Sequence, residues 1–283
     1  MVLAERMRWI GRWGRWLLLA TLLVYLFLPI VAVVLYAFST KWTAHILPDA
    51  YTLKHWGSAL SDVRLVDVAL RTFVLAAGVT VLDVLLIVPA IYWQWTRNPK
   101  IRPHLELTAA IPFVLPYIVI AFGILSLSGQ FIPTLQGTVW LLALGHVAIA
   151  FPFFYWAVDG AMAAANIPLL NEAAQTCGAT PLKTLRQIVL PNVASGIATG
   201  SMLVFAVSFN EFALVQILVG ARFETISLYS LDLLTGANAD FNKLAIITCL
   251  TFVIVFFMSA ASVYLNRGQT QTSRLVTGAK STK

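Results

Sequence analysis

Residues 17–39 carry no charged side chain. As a helix such a run is long enough to cross the hydrocarbon core of a bilayer, which takes about 20 apolar residues. Inside hydrocarbon every backbone N–H and C=O must find its partner within the chain, so a spanning segment of this kind has to be helical. Comparable runs recur at 72–95, 105–127, 138–157, 193–219 and 244–265. A hydrophobic fraction of 59% against 11% charged residues, with mean hydropathy +0.83, makes lipid the solvent for most of the chain. The fold class expected is all-α, a polytopic membrane bundle of six transmembrane helices forming a single domain over 1–283. The first run is longer than a signal-peptide core and lacks a small-x-small cleavage site, so it is read as a retained span. Residues 41–66 should include a short amphipathic helix.

Charge orients the bundle. With the amino-terminal segment 1–15 and the tail 267–283 on the cytoplasmic side, inner segments hold thirteen of the 19 Lys and Arg residues. Arg6, Arg8, Arg12 and Arg15, interleaved with Trp9, Trp13 and Trp16, suit the inner headgroup layer, and Arg97, Lys100 and Arg102 mark an inner loop. This bias puts both termini on the inner side, with a mobile polar tail at the end. The formal charge of +7 forms no stripe on a soluble domain, which argues against nucleic acid as partner. Cys177 and Cys249 lack metal-ligand neighbours and read as small, buried or half-buried side chains.

Residues 171–191, NEAAQTCGATPLKTLRQIVLP, form a polar island between apolar runs. Asn166 is placed to cap a helix with its side-chain oxygen, Pro168 falls in the first turn, and Gly178 supplies a left-handed residue at the end. Thr180 and Pro181 then start a second helix, on which Leu182, Leu185, Ile188 and Val189 share one face at helical spacing. Glu172-Ala173-Ala174, Gly178, Ile188 and Leu190-Pro191 stand at the spacing of the EAA loop, and the segment resembles that loop of the membrane subunits of binding-protein-dependent ABC importers. The resemblance implies a cytoplasmic coupling loop over 159–191 that docks on an ATPase. Glu172 would meet a basic residue of the groove, and Ala173 and Ala174 would belong to the docking helix. Gly178 would make the bend, and Leu182, Leu185, Ile188, Leu190 and Pro191 would carry the apolar contact. A solvated carboxylate favoured by the helix dipole is the plainer reading of Glu172.

The sequence holds no G-x-x-x-x-G-K-[ST] loop, H-E-x-x-H pair or nucleophile elbow. The resemblance therefore implies a transport subunit and not an enzyme, binding no cofactor itself, with ATP and Mg on two partner ATPase subunits. A second permease subunit, an extracytoplasmic solute-binding protein and membrane lipid complete the implied partners. Ionisable groups within spans are costly and mark a cavity or a polar partner. Asp83, His146 and Glu211 are these groups here, and with Ser208 and Asn210 they form the candidate substrate path. Asp83 is placed to pair with a hydroxyl or with His146 on another helix. Gly145-His146, Phe151-Pro152-Phe153 and Ile226-Ser227-Leu228-Tyr229-Ser230 resemble the spermidine/putrescine branch of type I importers. Glu211, Glu224, Asp232 and Asp240 against Arg222 and Lys243 suggest an acidic outer mouth suited to an organic cation. The alternatives are a permease for organophosphonate or sugar and, from another class, an ion-coupled secondary transporter or channel.

Overall fold

A computed structural model describes the backbone of residues 2–40, 42, 45–237 and 239–278, with side chains over 14–40, 42, 45–237 and 239–261 and at Tyr264. The side chains of Arg6, Arg8, Arg12, Trp9, Trp13, Lys41, Arg267, Arg274, Lys280 and Lys283 lie outside the described residues.

Two compact bodies make up the chain. The first comprises residues 1–63 and 232–253. Its helix α1 spans Val2–Phe38, followed by the short α2, Lys54–Leu60. The last helix of the chain, α13, begins in this body and runs over Phe241–Gly278. Asn242 Nδ2 donates to the carbonyls of Tyr36 and Ser39 at 3.1 and 2.9 Å, so α13 starts against the frayed end of α1. Lys243 Nζ reaches Asp62 at 3.0 Å. The apolar window within Gly14–Phe38 has no buried residue, as lipid contact requires, and α1 packs near its end, where Ala37 is buried and Phe38 stacks on Trp56 of α2. The backbone of α13 continues as helix to Gly278, through the segment read as a tail beyond Arg267, while residues 279–283 lie outside the described residues.

The second body, residues 64–231 and 254–283, contains the core. Helix α3 (Val63–Thr96) leads to α4 (Arg102–Val114), α5 (Tyr117–Phe131) and α6 (Val139–Ala164). Then come α7 (Ile167–Thr176), α8 (Pro181–Thr184), a π-helical turn at Leu185–Val189, α9 (Leu190–Asn192), α10 (Ala194–Asn210), α11 (Ala213–Leu218) and α12 (Ile226–Thr235). Among the described residues four helices are long and apolar enough to cross a membrane, and the number rises to as many as six when each of two bent pairs counts as one span. The polytopic helical architecture is thus present, with no named strand among the described residues.

Two runs read as single spans are broken. The run 105–127 bends by 112° between α4 and α5. Leu115 precedes Pro116, whose ring disfavours helical geometry in the preceding residue, and Leu115 is extended at φ −98, ψ 133. The run 193–219 breaks at Glu211, extended at φ −68, ψ 133, so α10 and α11 are separate helices. By contrast the fourth span is longer than expected and carries Asp159 inside α6.

Helices α6 and α10 pack along their length. Gly196 and Gly200 make this possible: a Cβ on Gly196 would overlap the Ala161 side chain and lie 2.8 Å from the Ala157 carbonyl. On Gly200 it would lie 3.3 Å from the Phe154 Cα. This is the G-x-x-x-G approach of membrane helices, in which small residues let backbones touch and dispersion replaces the hydrophobic effect.

Candidate coupling and transport sites

The coupling segment begins at a left-handed residue. Asn166 has φ 49, ψ 52 and makes no side-chain cap, which corrects the expected capping role. Its N–H instead bonds the Ala163 carbonyl, so it terminates α6 in the conformation that Asn tolerates better than other non-glycine residues. Pro168 stands in the first turn of α7 as its fixed φ favours. At the other end Gly178 N–H bonds the Gln175 carbonyl at 2.9 Å and Ala179 N–H bonds the Ala174 carbonyl at 3.0 Å. That pair of bonds is a Schellman stop, with Gly178 at φ +78. Thr180 Oγ1 then accepts from Lys183 N at 3.4 Å, and Pro181 opens α8.

The exposed face differs from the one that 3.6-residue periodicity predicts. Val189 and Thr184 are buried, Leu185, Ile188 and Leu190 are half-buried, and Leu182 is 74% exposed. The π-helical turn widens the winding over Leu185–Val189 and takes Leu182 off the inward face. On α7, Ala174 is buried while Leu169, Glu172, Ala173 and Thr176 are exposed, three to four residues apart, and so share one face. Leu169 escaped the sequence reading; its signal was an exposed leucine one turn before Glu172. Gly178 and Pro191 are exposed. Cys177 is exposed too, contrary to the expectation for it, and Cys249 is half-buried.

Within the bundle the structure gathers three of the substrate-path candidates. His146 Nδ1 lies 2.7 Å from Ser208 Oγ, and His146 Nε2 is 3.9 Å from Glu211 Oε2. The Glu211 carboxylate accepts from the N–H groups of Ala213, Leu214 and Val215 at 2.9, 2.8 and 3.4 Å. A break in a span strands the N–H groups of the next helix, and this carboxylate satisfies them while complementing the positive end of α11. Asn210, at the end of α10, is exposed and its Nδ2 donates to the Ala206 carbonyl at 2.9 Å. Asp83 stands apart: it is fully buried, neither carboxylate oxygen has a hydrogen-bond partner, and it does not pair with His146 as expected. Glu211→Ala is expected to strip the cap from α11 and cost about 1–2 kcal/mol, seen as a lower Tm in detergent, whereas Glu211→Gln keeps an acceptor oxygen and loses less.

Glu224 and Asp240, two of the acids expected to form an open mouth, each have a partner. Glu224 forms a two-point ion pair with Arg64 at 2.6 and 3.0 Å, and the Arg64 guanidinium lies 4.7 Å from the Tyr229 ring centre. Asp240 Oδ1 accepts from Lys243 N at 2.9 Å at the start of α13. Arg71 pairs with Asp67 at 2.6 Å. The acid count of the loop alone misses these cations, because Arg64 is 160 residues from Glu224 in sequence.

A second polar cluster, which the sequence did not single out, lies beside the coupling segment. Asp159 on α6 accepts from Trp95 Nε1 at 2.7 Å, Gln94 Nε2 at 3.0 Å and Arg102 at 3.1 Å. Tyr92 on α3 donates to Asn171 Oδ1 on α7 at 2.8 Å. No group of metal-binding side chains occurs among the described residues.

Known proteins are similar to this chain in sequence and in fold. The chain is similar to PotC of Escherichia coli K12, named as a spermidine/putrescine transport system permease protein, at 25% identity over 93% of this chain and 97% of that one. It is also similar to PhnV of Salmonella typhimurium LT2, named for a 2-aminoethylphosphonate transport system permease, at 22% identity over 87% and 92%. Among solved structures, the fold resembles a bacterial ABC transporter involved in alginate import, with a TM-score of 0.61, 18% identity and coverage of 92% and 99%. It also resembles the inward-facing MetNI methionine ABC transporter, with a TM-score of 0.57, 15% identity and coverage of 72% and 95%. Residues 87–271 match the family described as binding-protein-dependent transport system inner membrane component, a span that takes in α4 to α12 and the whole coupling segment, and the chain belongs to that family.

Proposed function

We propose that this chain forms half of the translocation pathway of a type I ABC importer and moves a small amine-bearing solute, a polyamine or similar organic cation. The observation that carries the coupling part is the exposed face of α7, where Leu169, Glu172, Ala173 and Thr176 are open to solvent between a left-handed stop at Asn166 and a Schellman stop at Gly178. An apolar residue with a carboxylate one turn on, held on a rigid short helix, suits a groove with an apolar floor and a basic rim. Two ATPase subunits would supply that groove and hold ATP and Mg, and an extracytoplasmic binding protein would deliver solute. A second permease chain, the same or different, would close the pathway. Both termini and the coupling segment then lie in the cytoplasm, as the distribution of Arg and Lys favours.

Exposed Cys177 offers a direct test, since it follows the docking face by one residue. With Cys249 replaced by Ser, a membrane-impermeant maleimide is expected to label Cys177 in inside-out vesicles and not in right-side-out cells. Bound ATPase should slow the labelling. Labelling from the outer side would reject the orientation.

Support for an amine comes from the names of the two relatives, since spermidine, putrescine and 2-aminoethylphosphonate all carry an ammonium group. In the chain, exposed Asn210 at the end of α10 is the side chain we assign to solute contact. Glu211, Ser208 and His146 hold the break that presents it, and Asp83 lies deeper, on α3. The match to PhnV supports a second reading, an organophosphonate permease. A binding screen of the cognate extracytoplasmic protein against spermidine, 2-aminoethylphosphonate and a neutral sugar separates the readings. Binding of the sugar alone would end the amine assignment.

A further inference from the structure

We infer that Asp159 is a positioning residue for coupling: it locks the ends of three bundle helices to the coupling segment so that they move with it as one body. The inference rests on the reading that this segment docks on an ATPase.

Asp159 sits one turn before the end of α6, which passes through Ala165 and the left-handed Asn166 straight into α7. Only 11% of its side chain is exposed. One carboxylate oxygen, Oδ1, takes N–H groups from Gln94 and Trp95 in the last turn of α3, and Oδ2 takes the Arg102 guanidinium at the first residue of α4. Each partner is itself held. Tyr155, one turn back on α6, donates to Gln94 Oε1 at 3.0 Å, and Arg102 donates to Glu106 at 2.8 Å and lies 5.2 Å from the Trp95 ring centre. A buried carboxylate is costly unless donors surround it, and here the donors come from two other helices. Packing alone would be served as well by an apolar residue, so the carboxylate fixes geometry.

The same α3 end reaches the coupling segment directly. Tyr92 O–H donates to Asn171 Oδ1 at 2.8 Å and lies 3.3 Å from the Pro181 carbonyl, one contact on each side of the Gly178 bend. Displacing α7 therefore pulls α3 through Tyr92, α6 through the chain, and α4 through Asp159 and Arg102. Without Asp159, α4 loses its charged tie to α6, and the α3 end keeps only the Tyr92 contacts to the coupling segment and the single Tyr155–Gln94 bond to α6 as polar ties among those described.

The test uses the complex copurified with its ATPase subunits. Spin labels are placed on Gln175→Cys in α7 and Lys100→Cys between α3 and α4, both exposed, in a chain whose native cysteines are Ser. With Asp159 present, the label distance is expected to stay single and unchanged between the ATP-free and ATP-trapped states. In Asp159→Ala it should remain single without ATP and shift or split when ATP is trapped, with loss of coupled uptake. Trp95→Phe, which removes one donor and keeps the ring, should show the same shift more weakly, and it covers the case in which Asp159→Ala does not fold. An ATP-independent broadening, or a distance in Asp159→Ala that ATP leaves unchanged, would overturn the inference. Loss of the ATPase from the variant alone would do so as well, by making Asp159 part of the docking surface. If no ATPase copurifies with the unmodified chain, the docking reading itself fails, and this inference with it.

Discussion

Gly178→Val is expected to insert, assemble with the bundle and yet lose ATP-driven uptake almost completely. The cause lies in the backbone. A Cβ at Gly178 would meet nothing within 4 Å, so no steric clash is available to blame. The strain comes from φ +78, a left-handed conformation that costs an L-residue roughly 1–2 kcal/mol and a β-branched one more. Relief comes by abandoning the two Schellman bonds, from Gly178 N–H and Ala179 N–H, which sets free the angle between α7 and α8. Because the residue is exposed and outside the core, thermal stability of the bundle should change little. Gly178→Asn, a residue that tolerates the left-handed region, should keep most of the uptake and serves as the control. The measurement is ATP hydrolysis and uptake in the same proteoliposomes. Full uptake by Gly178→Val would remove the bend from the mechanism.

Gly196→Val should fail earlier, at folding. Its Cβ would overlap the Ala161 side chain and press on the Ala157 carbonyl, a backbone atom that cannot rotate away. Overpacking of this kind costs about 1–3 kcal/mol before any loss of the neighbouring contacts, and α6 and α10 would have to separate along a face where Gly200 is also in backbone contact with Phe154. The expected result is a large loss of monodisperse protein in detergent and a Tm lowered by several degrees. Gly160→Ala, on α6 but with open space around its Cβ, should be close to neutral. Equal behaviour of the two variants would contradict the helix packing described.

What the residues showed in advance was local. Gly178, Thr180, Pro181 and Pro168 act where their backbone chemistry places them, because each effect spans four residues or fewer. The break at Leu115 was legible in principle, since Pro116 biases the residue before it, but an apolar run on both sides made a single span the simpler reading. The break at Glu211 carries no Pro or Gly; its sign is a lone carboxylate in an apolar run, which reads as a substrate-path residue and which also caps α11. The widened turn at Leu185–Val189 precedes Pro191, which lacks the N–H that the Gln187 carbonyl would take in an α-helix. A strict 3.6-residue count therefore misplaced Leu182. The Asp159 cluster was out of reach because its partners Gln94, Trp95 and Arg102 lie 57 to 65 residues away, and no local pattern encodes that pairing.

The central claim is that this membrane bundle borrows its energy through the α7–α8 segment. The rival is an ion-coupled transporter, a class that also uses broken helices and buried acids. Both features occur here, at Glu211 and Asp83. Uptake of the solute bound by the extracytoplasmic protein, into proteoliposomes holding the copurified complex, decides between them. The account predicts uptake only with ATP on the ATPase side, abolished by an ATPase subunit unable to hydrolyse ATP and indifferent to imposed proton or sodium gradients. Uptake that persists with the inactive ATPase and follows an ion gradient would contradict it.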